Sequence, residues 1–196
     1  AEEDVEAVTA VLRGDWLTTG PAVTAFENAI SELAGGHRAV SCTSGTAALH
    51  IAYAALGVGP GDEVVTTPMT FVATASCAAM LGARVVFADI DYETGLLDPT
   101  AVAAALTDRS RVISAVDYAG QAADYPALQV LADRVGAYTL ADAAHSVGGT
   151  AYGRPVGDLA GGQVLGREEG HGGDVGEGGA VVCKDPAVAQ RAHETA

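Results

Sequence analysis

The stretch SCTSGTAALHIAYAALG, residues 41–57, fixes the architecture of everything around it. It opens as the end of an apolar strand, turns sharply at Ser44-Gly45, and continues from about Thr46 as a helix that Gly57 closes. A strand, a tight turn and a helix make half of a β-α-β unit, so the flanking sequence should hold more such units. It does. Apolar runs at 63–66, 84–88, 111–116 and 138–141 read as strands, and the segments at 71–81, 100–106 and 125–135 read as helices. Upstream, 4–13 and 22–34 carry a helical apolar rhythm, with the turn WLTTGP at 16–21 between them. Downstream, 180–183 reads as a short strand and 186–193 as a helix. The expectation is an α/β fold with a mainly parallel sheet and helices on both faces.

One stretch interrupts the alternation. GGQVLGREEGHGGDVGEGG, residues 161–179, holds nine glycines and no aromatic residue, and reads as a loop.

Composition narrows the function. Hydrophobic residues make up 49% of the 196, enough for a sizeable core. The formal net charge is −15, from 25 acidic and ten basic residues, which argues against a nucleic-acid partner. No apolar run approaches the ~20 residues of a membrane span. The acidic start (Glu2, Glu3, Asp4) lacks a signal-peptide pattern, so the expected setting is cytoplasmic. Cys42, Cys77 and Cys183 are scattered, with no CxxC, and read as small buried thiols. Nine of the ten basic residues are arginine, leaving Lys184 as the sole lysine.

Three segments could carry chemistry. At Ser44, Gly45 and Thr46, a helix N-terminus offers N–H groups and a positive dipole end to a phosphate. Ser and Thr are also ordinary N-caps, and that reading stands beside it. The rival GVGPGD (57–62) lies between a helix and a strand, the wrong order for a dinucleotide fingerprint. In TTPMTFVATASCAAML (66–81), Phe71 follows a strand end and could stack on a flat ring, although taken alone it reads first as core. In YTLADAAHS (138–146), Asp142 ends a strand where a carboxylate needs a partner, and a protonated pyridine nitrogen is one. His145, three residues on, could touch that ring or orient the aspartate; a helix-capping Asp and a core histidine are the plain alternatives.

Taken with FADID (87–91), DYAGQAAD (117–124), LADAAHSVGG (140–149) and EGGAVV (177–182), these runs resemble the DegT/DnrJ-type sugar aminotransferases, fold-type-I enzymes dependent on pyridoxal 5'-phosphate (PLP). The resemblance covers nearly the whole chain. It implies the aspartate aminotransferase-like large domain over 1–196, truncated at both ends and without the family's small C-terminal domain. It implies that Ser44, Gly45 and Thr46 hold the cofactor phosphate, Phe71 covers the ring, Asp142 pairs with the ring nitrogen and His145 lies beside it. Leu17, Thr18 and Thr19 resemble a segment near the nucleotide-sugar substrate. VDYAGQAADY (116–125) is most similar to the branch that aminates C4 of a UDP-linked 4-keto-6-deoxy sugar on the route to pseudaminic acid. Glutamate as amino donor and a homodimer follow from the same resemblance.

The chain departs from the family over 161–176. Counting back from Glu177-Gly178-Gly179, His171 stands at the family's lysine position and Gly166 at its serine position, and the flanking aromatics are absent. Transamination needs that lysine amine. A histidine can move a proton but cannot replace the amine. Three expectations follow: a family aminotransferase inactive in this chain because 161–176 is an aberrant segment, a sugar 3-dehydratase using His171, or a non-catalytic fragment of the fold.

Overall fold

A computed structural model describes residues 2–167 and 178–196. In chain order the elements are α1 (Glu2–Arg13), α2 (Pro21–Leu33), β1 (Arg38–Cys42), α3 (Gly45–Ala55), β2 (Glu63–Thr66), α4 (Ala73–Met80), β3 (Arg84–Phe87), α5 (Pro99–Ala105), β4 (Ser110–Val116), α6 (Tyr125–Val135), β5 (Tyr138–Asp142), β6 (Thr150–Ala151), β7 (Arg154–Pro155), β8 (Gly162–Arg167), β9 (Gly178–Cys183) and α7 (Pro186–Thr195). Strands β1-β9-β8-β5-β4-β2-β3 form one seven-stranded sheet in that order, and β6 and β7 form a small separate hairpin. The pairings among β2, β3, β4, β5 and β8 are parallel. β9 runs antiparallel to both its neighbours, β1 and β8.

Period-two alternation builds the two faces. Val64, Val112, Leu140, Val164 and Val181 turn to one side, where they pack on α3, α4 and α7. Their chain neighbours Val65, Ile113, Ala141, Leu165 and Val182 turn to the other and pack on α2, α5 and α6. Strands buried on both faces read as continuous apolar runs, as these do. Caps set the helix starts. The Ser44 hydroxyl accepts the Ala47 N–H, and Asp98, Asp124 and Asp185 accept N–H groups in the same way, with a proline in the first turn of each of those three Asp-capped helices.

The glycine-rich stretch is corrected at its two ends. Residues 162–167 are strand β8, paired parallel with β5 and antiparallel with β9, and Gly178 and Gly179 begin β9. Glycine weakens a strand by propensity, but tertiary pairing on both edges overrides that. Its presence also has a steric cause. A Cβ on Gly166 would lie 3.0 Å from the Gly45 Cα, and one on Gly179 would lie 2.2 Å from the Ser44 carbonyl oxygen. Positions 168–177, His171 included, lie outside the described residues. The helix expected over 71–81 starts two residues later, at Ala73, which leaves Phe71 in the turn before it. The helical rhythm of 4–13 does produce α1, yet none of its residues is buried.

Candidate cofactor site

The C-terminal edge of the parallel strands carries a cavity of about 160 Å³ lined by Gly45, Thr46, Leu49, Phe71, Ala73, Asp142, Ala144, His145 and Gly166. Five of the residues singled out in the sequence therefore meet: Gly45 and Thr46 from the start of α3, Phe71 from the turn after β2, Asp142 from the end of β5 and His145 from the loop after it.

The floor is a close approach of two backbones. A Cβ on Gly45 would sit 2.9 Å from the Gly166 Cα, so the first turn of α3 lies against β8 with no side chain between them. Ser44 fulfils the capping reading: its oxygen accepts the Ala47 N–H at 3.1 Å, and its carbonyl accepts the Ala48 N–H at 3.0 Å. Helix geometry gives the N–H groups of Gly45 and Thr46 no partner further back in α3, so they point out of its end. Two thiols brace the turn from within. Cys42 donates to the Ser44 carbonyl at 3.4 Å and Cys77 to the Thr46 carbonyl at 3.5 Å. Burial raises the pKa of both, and the neighbouring Asp142 charge raises that of Cys77 further.

Phe71 is 63% exposed, so it is not the core residue it resembles in isolation. Asp142 is buried, and the Thr74 hydroxyl donates to its Oδ2 at 2.7 Å. Thr74 in turn shares a 2.7 Å hydroxyl contact with Thr70, and its carbonyl accepts the buried Tyr53 hydroxyl at 2.8 Å. The His145 ring packs edge-on to Tyr118, with centroids 6.3 Å apart.

Leu17, Thr18 and Thr19 are exposed and do not line the cavity. Thr19 has φ 49°, a left-handed conformation that only a turn requires. Lys184 is far from the cavity in the topology. Because β9 is reversed, its last residue pairs with the first residues of β1 and β8, at the opposite edge of the sheet from Asp142. There the Lys184 ammonium donates to the Asp158 carbonyl at 2.8 Å.

Two parts of the site, the Thr74 hydroxyl and the Gly166 backbone, carry no assigned role in the sequence reading. A signal for Thr74 exists in the sequence: it lies three residues beyond Phe71, one helical turn on, at the start of an apolar helix.

Comparison with known proteins identifies a family and a shared fold. The model of the DegT/DnrJ/EryC1/StrS aminotransferase family matches residues 1–195. Among solved structures, DesV of S. venezuelae, in complex with a ketimine intermediate, is 34% identical with a TM-score of 0.91; the alignment covers 98% of this chain and 52% of that one. The synthase of 3-amino-5-hydroxybenzoic acid is 36% identical with a TM-score of 0.92, covering 100% of this chain and 51% of that one. NtdA of Bacillus subtilis, solved with bound cofactor PMP, is 27% identical with a TM-score of 0.89, covering 97% and 43%. The chain spans about half the length of these solved relatives.

Proposed function

The chain belongs to the DegT/DnrJ/EryC1/StrS aminotransferase family, and from that premise we propose that its cavity holds PLP, in the large domain of a nucleotide-sugar aminotransferase. The carrying observation is the convergence of a helix N-terminus, an exposed aromatic ring and a buried carboxylate on one cavity. The residues present fit the group. The open end of α3 at Gly45 and Thr46, with no side chain at Gly166, suits a phosphate. Phe71 offers a face to the ring. Asp142, steadied by Thr74, would keep a pyridine nitrogen protonated, and His145 stands beside it. When bound, the cofactor supplies an electron-accepting ring and a carrier for an amino group.

The amine that would anchor the cofactor is missing. The chain's one lysine is at the opposite edge of the sheet, engaged with Asp158. We therefore read this chain as binding the cofactor without a covalent link and as inactive in transamination. The activity of the whole protein, in this reading, is amination of a UDP-linked 4-keto-6-deoxy sugar with glutamate as donor, in the cytoplasm and as a homodimer. DYAGQAAD (117–124) supports that branch. The exposed turn at Leu17, Thr18 and Thr19 would meet the nucleotide sugar outside the cavity.

Titration with pyridoxamine 5'-phosphate (PMP) and with PLP tests the reading. Both should bind with similar affinity, and Asp142→Ala should weaken both about tenfold or more, the scale of one charge-assisted contact. Borohydride treatment of the PLP complex should leave Lys184 unmodified in the tryptic digest. Absence of PMP binding, or binding indifferent to Asp142→Ala, would overturn the assignment. Water loss from a 4-keto-6-deoxy sugar without amine incorporation would move the function to a dehydratase working through His171.

A further inference from the structure

Resting on the cofactor reading, we propose that Asp117 is a positioning residue, acting through Ser146 to hold His145 and the end of β5 in place against the cavity. The segment that contains it, VDYAGQAADY, contributes no lining residue, yet its first turn clasps the loop that does.

Asp117 follows β4 directly and is fully buried. Its Oδ1 accepts the Tyr125 hydroxyl at 2.7 Å and the Ala123 N–H at 3.0 Å, both from its own connection. Its Oδ2 reaches across to the loop after β5 and accepts the Ser146 hydroxyl at 2.5 Å. The Asp117 N–H also donates to the Asp142 carbonyl at 3.0 Å. The next residue, Tyr118, sets its ring against His145. Two more residues on, Gly120 (φ 86°) lies so close to the loop that a Cβ there would be 3.3 Å from the His145 carbonyl oxygen. The turn that achieves this puts Ala119 at φ 53°, a conformation that non-glycine residues adopt only under local compulsion. Residues 117–120 thus reach Asp142, His145 and Ser146 together. On the far side, the Ala143 N–H donates to the Val164 carbonyl at 2.9 Å, so the loop is stitched to β8 as well.

The chemistry of the donors matters. Tyr125 and Ala123 alone would fix the start of α6. The bond from Ser146 has no part in that helix, and its geometric effect falls on the residue before it, His145. A carboxylate that takes hydroxyl and amide donors in this way holds their direction tightly, because each bond is charge-assisted.

Ser146→Ala in the 196-residue chain cuts the latch without touching the cavity lining, and Ser146→Thr keeps the hydroxyl. In the ligand-free protein, Ser146→Ala should move the His145 imidazole NMR signals and speed amide exchange across 143–149 roughly tenfold. PMP should bind it roughly tenfold more weakly, and Ser146→Thr should restore all three readouts. Thr139→Val serves as the structural control. Its hydroxyl donates to Gln129 and accepts the Gly161 N–H behind the site, so its loss should lower the melting temperature and leave His145 alone. Unmoved His145 signals and exchange in Ser146→Ala, or equal movement in Thr139→Val, would overturn the latch. Failure of the unsubstituted chain to bind PMP would instead sink the cofactor reading, while the ligand-free readouts still decide the role of Asp117.

Discussion

Glu63 and Asp117 are both buried carboxylates, one at the start of β2 and one just past the end of its neighbour β4, and they are held in opposite ways. Glu63, where β2 begins, takes Arg109 at 2.6 Å, Arg84 at 3.3 Å and the Thr107 hydroxyl at 2.6 Å. The Thr107 and Arg109 hydrogen bonds hold its pKa below the usual value. Asp117, where β4 ends, takes two hydroxyls and one amide N–H. Burial outweighs them and pushes its pKa up. The rear edge repeats its pattern at Asp158, which meets His37, Arg154 and Lys184. Arginine and lysine at the rear fasten the strand starts and the loops beside them. At the front, neutral donors direct loops. The rear is built for cohesion and the front for aim, so substitutions at the two edges should separate stability from ligand affinity.

Gly179→Ala tests where that separation fails. Gly179 lies at the front edge of β9, and its new Cβ would meet the Ser44 carbonyl oxygen at 2.2 Å, a backbone atom that no rotamer change can move away. We expect a loss of about 3 kcal/mol in urea unfolding, together with impaired PMP binding, because the α3 turn must shift. Wild-type affinity in a folded Gly179→Ala would show that the turn is not the phosphate site.

Glu63→Gln should cost about 2 kcal/mol while PMP affinity stays unchanged. Its pH dependence runs opposite to that of Asp117. A lowered pKa contributes stability above the unfolded value and loses it as pH falls, so the Glu63→Gln penalty should shrink in acid. Asp117 has a raised pKa, whose contribution is fully present below the unfolded value of 3.8 and is lost as pH rises. The Asp117→Asn penalty should therefore be largest in acid and narrow toward neutrality. Parallel slopes for the two variants in pH-dependent denaturation would erase the distinction drawn between the edges.

Phe71→Ala should weaken PMP binding by about 1 kcal/mol, roughly fivefold, with little change in melting temperature because the ring is largely exposed. The smallest effect is expected at the rear. Asp158→Asn should cost no more than about 1 kcal/mol, since the pair with His37 is partly open to water. Hydrogen bonding from His37 lowers the Asp158 pKa from 3.8 to about 2. Its contribution should be present above pH 3.8 and disappear as pH falls through about 2, a window that acid titration of both proteins would reveal.

Much of this architecture is legible in the amino-acid sequence. The β/α order can be read because buried parallel strands are unbroken apolar runs, and Thr46, Phe71, Asp142 and His145 stand at their ends. Strand β8 is not legible, because glycines at 162 and 166 reflect contacts with Leu140 and Gly45, which no local pattern carries. The front-edge network is hidden for a similar reason. Thr74 pairs with Asp142, and Asp117 with Ser146, across long separations in the chain. α1 shows the converse: its rhythm is plain in the sequence, yet none of its own residues is buried.

The facing glycines of the cavity floor are coupled to one another. Gly45 and Gly166 come from segments distant in sequence, and each occupies the space that a side chain on the other would need. They behave as one position shared between two genetic addresses. A methyl at either should largely exhaust the tolerance, so the second would add little further harm. The double substitution should therefore be strongly non-additive, and sequence drift at one address is constrained by the state of the other.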